Sequence, residues 1–268
     1  MVSIIVSSYQ PENFSALEKN IAETVGVPYE IIKIDNPGLM GICEAYNKGA
    51  EKAKYENLLF LHEDVIFNNF NWGKELLKLL ESKENGVIGV AGCFYIPNVP
   101  FAWWELPFTE FRNITQFKDS ELIKQYTLEE DKNITALDGV FLACRREVWQ
   151  AFPFNENIKG FHAYDIDFSV RIADSYQNIV SSKILLSHFS EGNMDEKWFR
   201  SLIQSRDYFK APVSQKTNKK HEFFFYTKFQ KYLEQFDFPE KEKRKLLLKY
   251  NKPKFIGYKT FLKNLFKL

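Results

Sequence analysis

The run Asn57-Leu58-Leu59-Phe60-Leu61-His62-Glu63-Asp64 decides how the rest of the chain is read. Four consecutive apolar residues, cut off by three polar ones, spell a strand buried on both faces, with charge at its carboxyl end. Working outward, Val2–Ser7 (VSIIVS) is a second such run. Glu30–Ile34 is a third, stopped by the turn Asn36-Pro37-Gly38, and Val87–Ala91 is a fourth. Between them lie segments with helical spacing: Glu12–Val25, marked by Phe14, Leu17 and Ile21, then Ile42–Lys54, then the stretch around Leu76–Leu80. Strands alternating with helices predict an α/β fold with a doubly wound, mostly parallel sheet. In such sheets ligands gather beyond the carboxyl ends of the strands. Those ends carry Ser7-Ser8-Tyr9, Asp35-Asn36 and His62-Glu63-Asp64, a convergent polar set on one edge.

Asp64 has two readings, a turn or N-cap carboxylate, or a hard oxygen ligand for Mg²⁺ or Mn²⁺ completed by substrate phosphates. Asp35 has the same pair, with an Asx turn before Pro37-Gly38 as its structural version. Downstream, Leu137–Cys144 reads as a strand with Asp138 and Gly139 at its entrance, and Arg145–Ala151 as a short helix. Gly160–Tyr164 is a loop leading into a helix from Ile166. Asp165 and Asp167 fall in its first turn, where the helix dipole favours carboxylates. Asp165, set behind the loop, is the better placed to project into a crevice as a general base. Ile179–Leu186 reads as a further strand ending in Ser187-His188, where the histidine is either a structural donor or a ligand. The stretch Phe94–Phe111 has no period but is rich in Phe and Trp, including Trp103 and Trp104. It reads as a sugar-stacking platform or as a hydrophobic plug.

Composition narrows the class. With 45% hydrophobic and 26% charged residues over 268 positions, the chain has an ordinary globular make-up and is not disordered. Twenty-six Phe and 13 Tyr are an aromatic surplus that can be plain core, although sugar and nucleobase sites also favour flat side chains. The three cysteines, Cys43, Cys93 and Cys144, are too scattered for a metal finger and suit a reducing compartment. Met1 runs straight into a strand, without a leader pattern, and no apolar stretch is long enough to span a bilayer. The expected location is therefore cytoplasmic. Charge is polarised: Lys210–Leu268 holds 16 Lys and Arg against 5 Asp and Glu, a balance of +11, and residues 1–209 hold 20 against 30, or −10. That break, with the polar stretch Pro212–Lys220, divides the chain into a domain at 1–210 and a basic, aromatic-rich helical segment at 211–268. Within the segment, Tyr258, Phe261, Leu262, Leu265 and Phe266 fall on one helical face, flanked by Lys259, Lys263 and Lys267. Lys252 and Lys254 lie just upstream. The pattern suits peripheral contact of 252–268 with an anionic inner membrane face, or packing on the main domain.

Taken in order, the segments VSIIVSSY, IIKIDN, GICEAYNKGAEKA, LLFLHEDV, ALDGVFLACRREVW, FHAYDIDFSVRI and LLSHFSEG resemble the GT-A glycosyltransferases of family 2 over about residues 2–210. Within that group they look most like the glycosyltransferase-like domain associated with streptomycin biosynthesis. The resemblance implies a GT-A fold and transfer of a sugar, with inversion, from a nucleotide-diphosphate donor, UDP-linked, to a saccharide or lipid-linked acceptor. It implies that Ser7 and Tyr9 frame the base, that Asp35 contacts base or ribose, and that Gly41 and Asn47 lie along the nucleotide. His62-Glu63-Asp64 stands at the family's Asp-x-Asp metal motif, so Glu63 falls on the donor side and Asp64 on Mn²⁺ or Mg²⁺, with His188 completing the shell. Asp138 and Gly139 match the acceptor-side strand, and Asp165 the base. Two departures stand out: His62 replaces the family's first Asp, and Tyr164 replaces the Glu before the base. They leave a non-catalytic sugar- or nucleotide-binding relative as the alternative. A nucleotidyltransferase is disfavoured because no glycine-rich phosphate loop ends in Lys. Nucleic acid is not an expected partner, since no recognition module accompanies the basic segment.

Overall fold

The computed structural model describes residues 1–105, 108–118, 121–190 and 194–265. Alternation along the buried strands sorts their side chains onto two faces. In the strand Val2–Ser8, Ile4 and Val6 join Leu59 and Leu61 against Leu17 and Ile21 of the helix Pro11–Thr24 and Leu76 of the helix Trp72–Glu81. Ile5, Leu58 and Phe60 point the other way, onto Ile42 and Tyr46 of the helix Ile42–Lys52. That helix lies so close that a Cβ on Gly49 would sit 2.2 Å from Ile5 Cγ2. Helices on both faces explain why the strands are apolar without alternation.

The central sheet has seven strands in the order Lys132–Ile134, Gln177–Val180, Asn85–Gly89, Phe141–Arg145, Asn57–Leu61, Val2–Ser8 and Tyr29–Asp35. The α/β expectation holds, but the sheet is mixed rather than mostly parallel. Phe141–Arg145 runs antiparallel to both of its neighbours, and Lys132–Ile134 is antiparallel to Gln177–Val180. This reversal has a functional effect. A reversed strand enters the sheet where its neighbour leaves, so Phe141 pairs with Leu61 and His62 N donates to Val140 O at 3.2 Å. Asp138 and Gly139 are thereby delivered to the end that carries His62–Asp64.

Two strands expected to be continuous are broken. Leu137–Cys144 divides into Ala136–Leu137, in a small three-stranded sheet, and Phe141–Arg145, with Asp138–Val140 in the gap. Ile179–Leu186 divides into Gln177–Val180 and Leu186–His188. The latter joins Val65–Phe67, Ile114–Lys118 and Glu121–Tyr126 in a separate four-stranded sheet. His188 pairs with Val65 in that sheet, which sets it beside Asp64.

The compositional break near residue 210 corresponds to no break in packing. Phe225, Tyr226 and Phe229 of the helix Lys219–Gln235 share one core with Tyr95, Phe101, Ile166 and Phe199, as do Leu246 and Tyr250 of the helix Glu240–Tyr250. The buried Glu222 fastens this unit, accepting from Tyr95 Oη at 2.8 Å and Asn98 N at 3.0 Å. Among the described residues no helix is long and apolar enough to cross a membrane.

Candidate active site

Two cavities open at the carboxyl edge of the sheet and meet at a shared wall of His62, Phe161, His162, Tyr164 and Ser190. The first, about 480 Å³, is lined by Ser7, Tyr9, Asn36, Tyr46 and Asp64 among others. The second, about 220 Å³, holds Asp138, Gly139 and Asp165 beneath a rim of Trp103, Trp104 and Trp198.

Several expected donor-side residues take other places. Ser7 and Tyr9 do line the larger cavity. Asp35 does not: its side chain is 78% exposed and pairs with Lys33 Nζ at 2.8 Å. The next residue, Asn36, turns inward instead, donating to Ser7 Oγ and Met40 O and accepting from Met40 N. Asn47 is corrected outright. Its amide donates to Phe154 O and Glu156 Oε1 and accepts from Trp149 Nε1 and Phe154 N, so it ties its helix to the 153–156 loop. Gly41 also meets protein, since a Cβ there would lie 3.2 Å from Gly160 N. Glu63 borders the cavity, but its buried carboxylate accepts from Tyr9 N and Gln10 N, both at 3.1 Å. It braces the loop that presents Tyr9 rather than reaching for a ligand.

The metal-binding arrangement is more complete than the motif indicated. His62, Asp64 and His188 bring one ligand atom each within 4.8 Å of one another, and they are the one such group among the described residues. His188 Nε2 lies 3.5 Å from Asp64 Oδ1, is buried and has no hydrogen-bond partner. An orphaned imidazole nitrogen aimed at a carboxylate is what a divalent ion would satisfy, so the residues present fit the group. His62 was legible only as a departure from the Asp-x-Asp pattern, yet it is a member of the triad.

On the other side, Asp165 lies in the first turn of the helix Tyr164–Ile172, entered through Ala163 at φ 64°. From there Tyr164 reaches His62 and Gly139 O, while Asp165 accepts from Gly139 N, so the two consecutive side chains meet at Gly139. Burial, and after it the neighbouring Asp138 carboxylate, push the Asp165 carboxyl up to about 7, although Ile166 N and Gly139 N donate to it. Asp138 in turn accepts from Trp103 Nε1 at 3.1 Å and Val140 N at 2.9 Å. Trp104 stacks on Trp198 with centroids 6.1 Å apart, an aromatic wall that only the first of the two residues foretold. Asp167 is fully buried, paired with Arg171 at 2.9 Å, and structural.

The mixed α/β sheet, with a carboxylate–histidine cluster beyond its strand ends, has the GT-A fold of the solved structures it resembles. A family model described as a glycosyltransferase-like family matches residues 3–225, and the chain belongs to that family. Among solved structures it is similar to a mannosyltransferase, PcManGT from Pyrobaculum calidifontis in complex with GDP-Man and Mn²⁺. The identity is 13%, the TM-score 0.54, and 93% of this chain and 72% of that one are covered. It is also similar to GalNAc-T7 with UDP, GalNAc and Mn²⁺, at 10% identity and TM-score 0.53, covering 77% of this chain. It spans only about half (48%) of that protein. S. aureus TarS 1–349 in complex with UDP is similar at 13% identity and TM-score 0.50, with 85% and 70% covered. No curated protein matches the chain in sequence.

Proposed function

We propose that the protein transfers a sugar, with inversion, from a nucleotide-diphosphate donor, UDP-linked, to a hydroxyl of a saccharide or lipid-linked acceptor. One observation carries this reading: two cavities share the His62–Tyr164 wall, with the carboxylate of Asp64 on one side and that of Asp165 on the other. The family and the nucleotide-sugar complexes of the similar structures support it.

The larger cavity would take the donor, with Tyr9 at its mouth and Asn36 at its back. A bound Mn²⁺ or Mg²⁺, held by His62, Asp64 and His188, would neutralise charge on the leaving diphosphate. Trp103, Trp104 and Trp198 would stack on the acceptor ring and exclude water, as flat apolar walls do. Asp165, placed across the shared wall, would draw the proton from the acceptor hydroxyl as that oxygen attacks the anomeric carbon from the face opposite the leaving group. Asp138, fixed by Trp103, keeps negative charge beside the base and so sustains its proton affinity.

The basic C-terminal helices support peripheral contact with an anionic membrane, where a lipid-linked acceptor would lie. In the helix Tyr258–Leu265, Phe261 packs partly buried against the core, whereas Tyr258, Leu262 and Leu265 remain exposed at a spacing of four and three, with Lys259 and Lys263 beside them on one side. Phe266 and Lys267 lie outside the described residues.

Donor binding is tested by thermal denaturation with UDP-GlcNAc, UDP-GalNAc and GDP-Man, each with and without Mn²⁺. At a hundredfold excess over Kd the correct donor should add about 2.7 kcal/mol of stability. No shift with any of them, Mn²⁺ present, overturns the proposal.

A further inference from the structure

The two departures from the family pattern, His62 and Tyr164, are 102 residues apart in sequence and form one hydrogen bond, His62 Nε2 to Tyr164 Oη at 2.8 Å. The same phenol lies 3.2 Å from Gly139 O and donates to it. A carbonyl can only accept, so the single phenolic proton goes to Gly139 and the phenol oxygen accepts from His62 Nε2–H. A neutral imidazole carries one N–H, so His62 Nδ1 is left with its lone pair, 3.8 Å from Asp64 Oδ1. The Tyr164 ring has little freedom to leave this place. It packs edge-on to Tyr46 with centroids 5.8 Å apart, and a side chain at residue 139 is excluded because a Cβ there would sit 2.0 Å from the phenol oxygen.

His188 obeys the same rule through a different partner. Gln116 Nε2 donates to Phe117 O, His188 O and Ser190 O, which fixes the amide with Oε1 towards His188 Nδ1 at 3.3 Å. His188 Nδ1 therefore carries the proton and Nε2 faces Asp64 bare. Two histidines, one just beyond the central sheet and one in the four-stranded sheet, are thus held in opposite tautomers, each turning its lone pair to one carboxylate.

We infer that Tyr164 is a positioning residue for the metal, locking His62 in its ligating tautomer, and that the His62–Tyr164 pair converts an oxygen-ligand site into a nitrogen-rich one that selects Mn²⁺ over Mg²⁺. This rests on the metal reading proposed above. Imidazole suits the borderline first-row ions, whereas Mg²⁺ prefers carboxylate, carbonyl and water oxygen. Partners that orient a ligating histidine through its far nitrogen change metal affinity about 10–100-fold when removed. The two substitutions make sense only together. A histidine at 62 without the phenol would have no fixed tautomer.

The test is Mn²⁺ binding to the full chain, followed by the electron paramagnetic resonance signal of the free ion up to millimolar concentration. Mg²⁺ serves as competitor and no nucleotide is added. The wild type should bind Mn²⁺ and release it only to a large excess of Mg²⁺. Tyr164→Phe keeps the ring and its packing, so its melting temperature should hold while Mn²⁺ affinity falls about 10–100-fold. His62→Asp, which does not depend on how well the Tyr164 variant folds, should narrow the preference for Mn²⁺ over Mg²⁺. Unchanged Mn²⁺ affinity in Tyr164→Phe, or an unchanged ion preference in His62→Asp, overturns this inference and leaves the metal reading intact. A wild type that binds no Mn²⁺ overturns both.

Discussion

Asp165 shows how a single side chain can be tuned by what surrounds it. Its carboxyl is up at about 7 against an ordinary 3.8, chiefly through burial and then through Asp138. Between those two values the fold retains a proton that the unfolded chain has given up. Stability linked to this group is therefore complete below about pH 4 and is lost as pH rises through 7. Asp165→Asn should remove that cost, so its gain in melting temperature over wild type should be larger at pH 8 than at pH 5. Sugar transfer should at the same time fall about 10²–10⁴-fold, because the amide cannot take the acceptor proton. In the wild type, turnover should rise as pH climbs towards 7 and the base ionises. A melting temperature gain that does not change with pH would show that Asp165 is not the protonated group.

At the scale of elements, the most readable parts were those whose signal is local. The runs at Val2–Ser8 and Asn57–Leu61 are apolar because both of their faces are covered, and the polar residues that end them do lie at the cavities. Asp64, His188, Asp138, Gly139 and Asp165 could be singled out for the same reason: each follows or precedes a strand or opens a helix. The breaks at Asp138–Val140 and at residues 181–185 are marked by polar residues, Asp138 and Ser181-Ser182-Lys183, but the strand-like residues on either side of each hid them. The role of Gln116 was beyond reach, since only the pairing of Ile114–Lys118 with Leu186–His188 brings it to the imidazole. Asn47 misled because its polarity serves the fold's own backbone. The C-terminal helices supply a test at this scale. Full-length protein and a form ending at Lys252 should differ in sedimentation with anionic vesicles, the full-length form pelleting more and less so at high salt, since each lysine near such a surface adds about 1 kcal/mol. Equal pelleting would remove the membrane from the account.

Across the whole molecule, three cores meet at the active site, and the third joins chain segments more than a hundred residues apart. The Trp103–Trp104 rim belongs to that third core. Tyr95 and Asn98, a few residues upstream, hang from Glu222, and Tyr232 Oη donates to Glu105 at 2.6 Å just downstream. Glu222→Ala would leave two donors, Tyr95 Oη and Asn98 N, without this acceptor, costing about 1–3 kcal/mol for each that stays buried. Its melting temperature should drop, while stabilisation by the nucleotide donor in the presence of Mn²⁺ is retained, because the larger cavity lies on the other side of the shared wall. Loss of the donor effect in this variant would mean that the two cavities do not act separately.

The Glu222 anchorage also bears on how such a chain can be recombined. A crossover near residue 210 follows the change in composition, but it would part the 94–104 loop from the helix that carries its acceptor. A hybrid joined there would inherit a rim from one parent and its mooring from another. Exchanges that respect the structure must carry residues 94–104 and 219–256 as one cassette. Acceptor preference should then travel with that cassette, and donor preference should stay with the strands that end at Ser8 and Leu61.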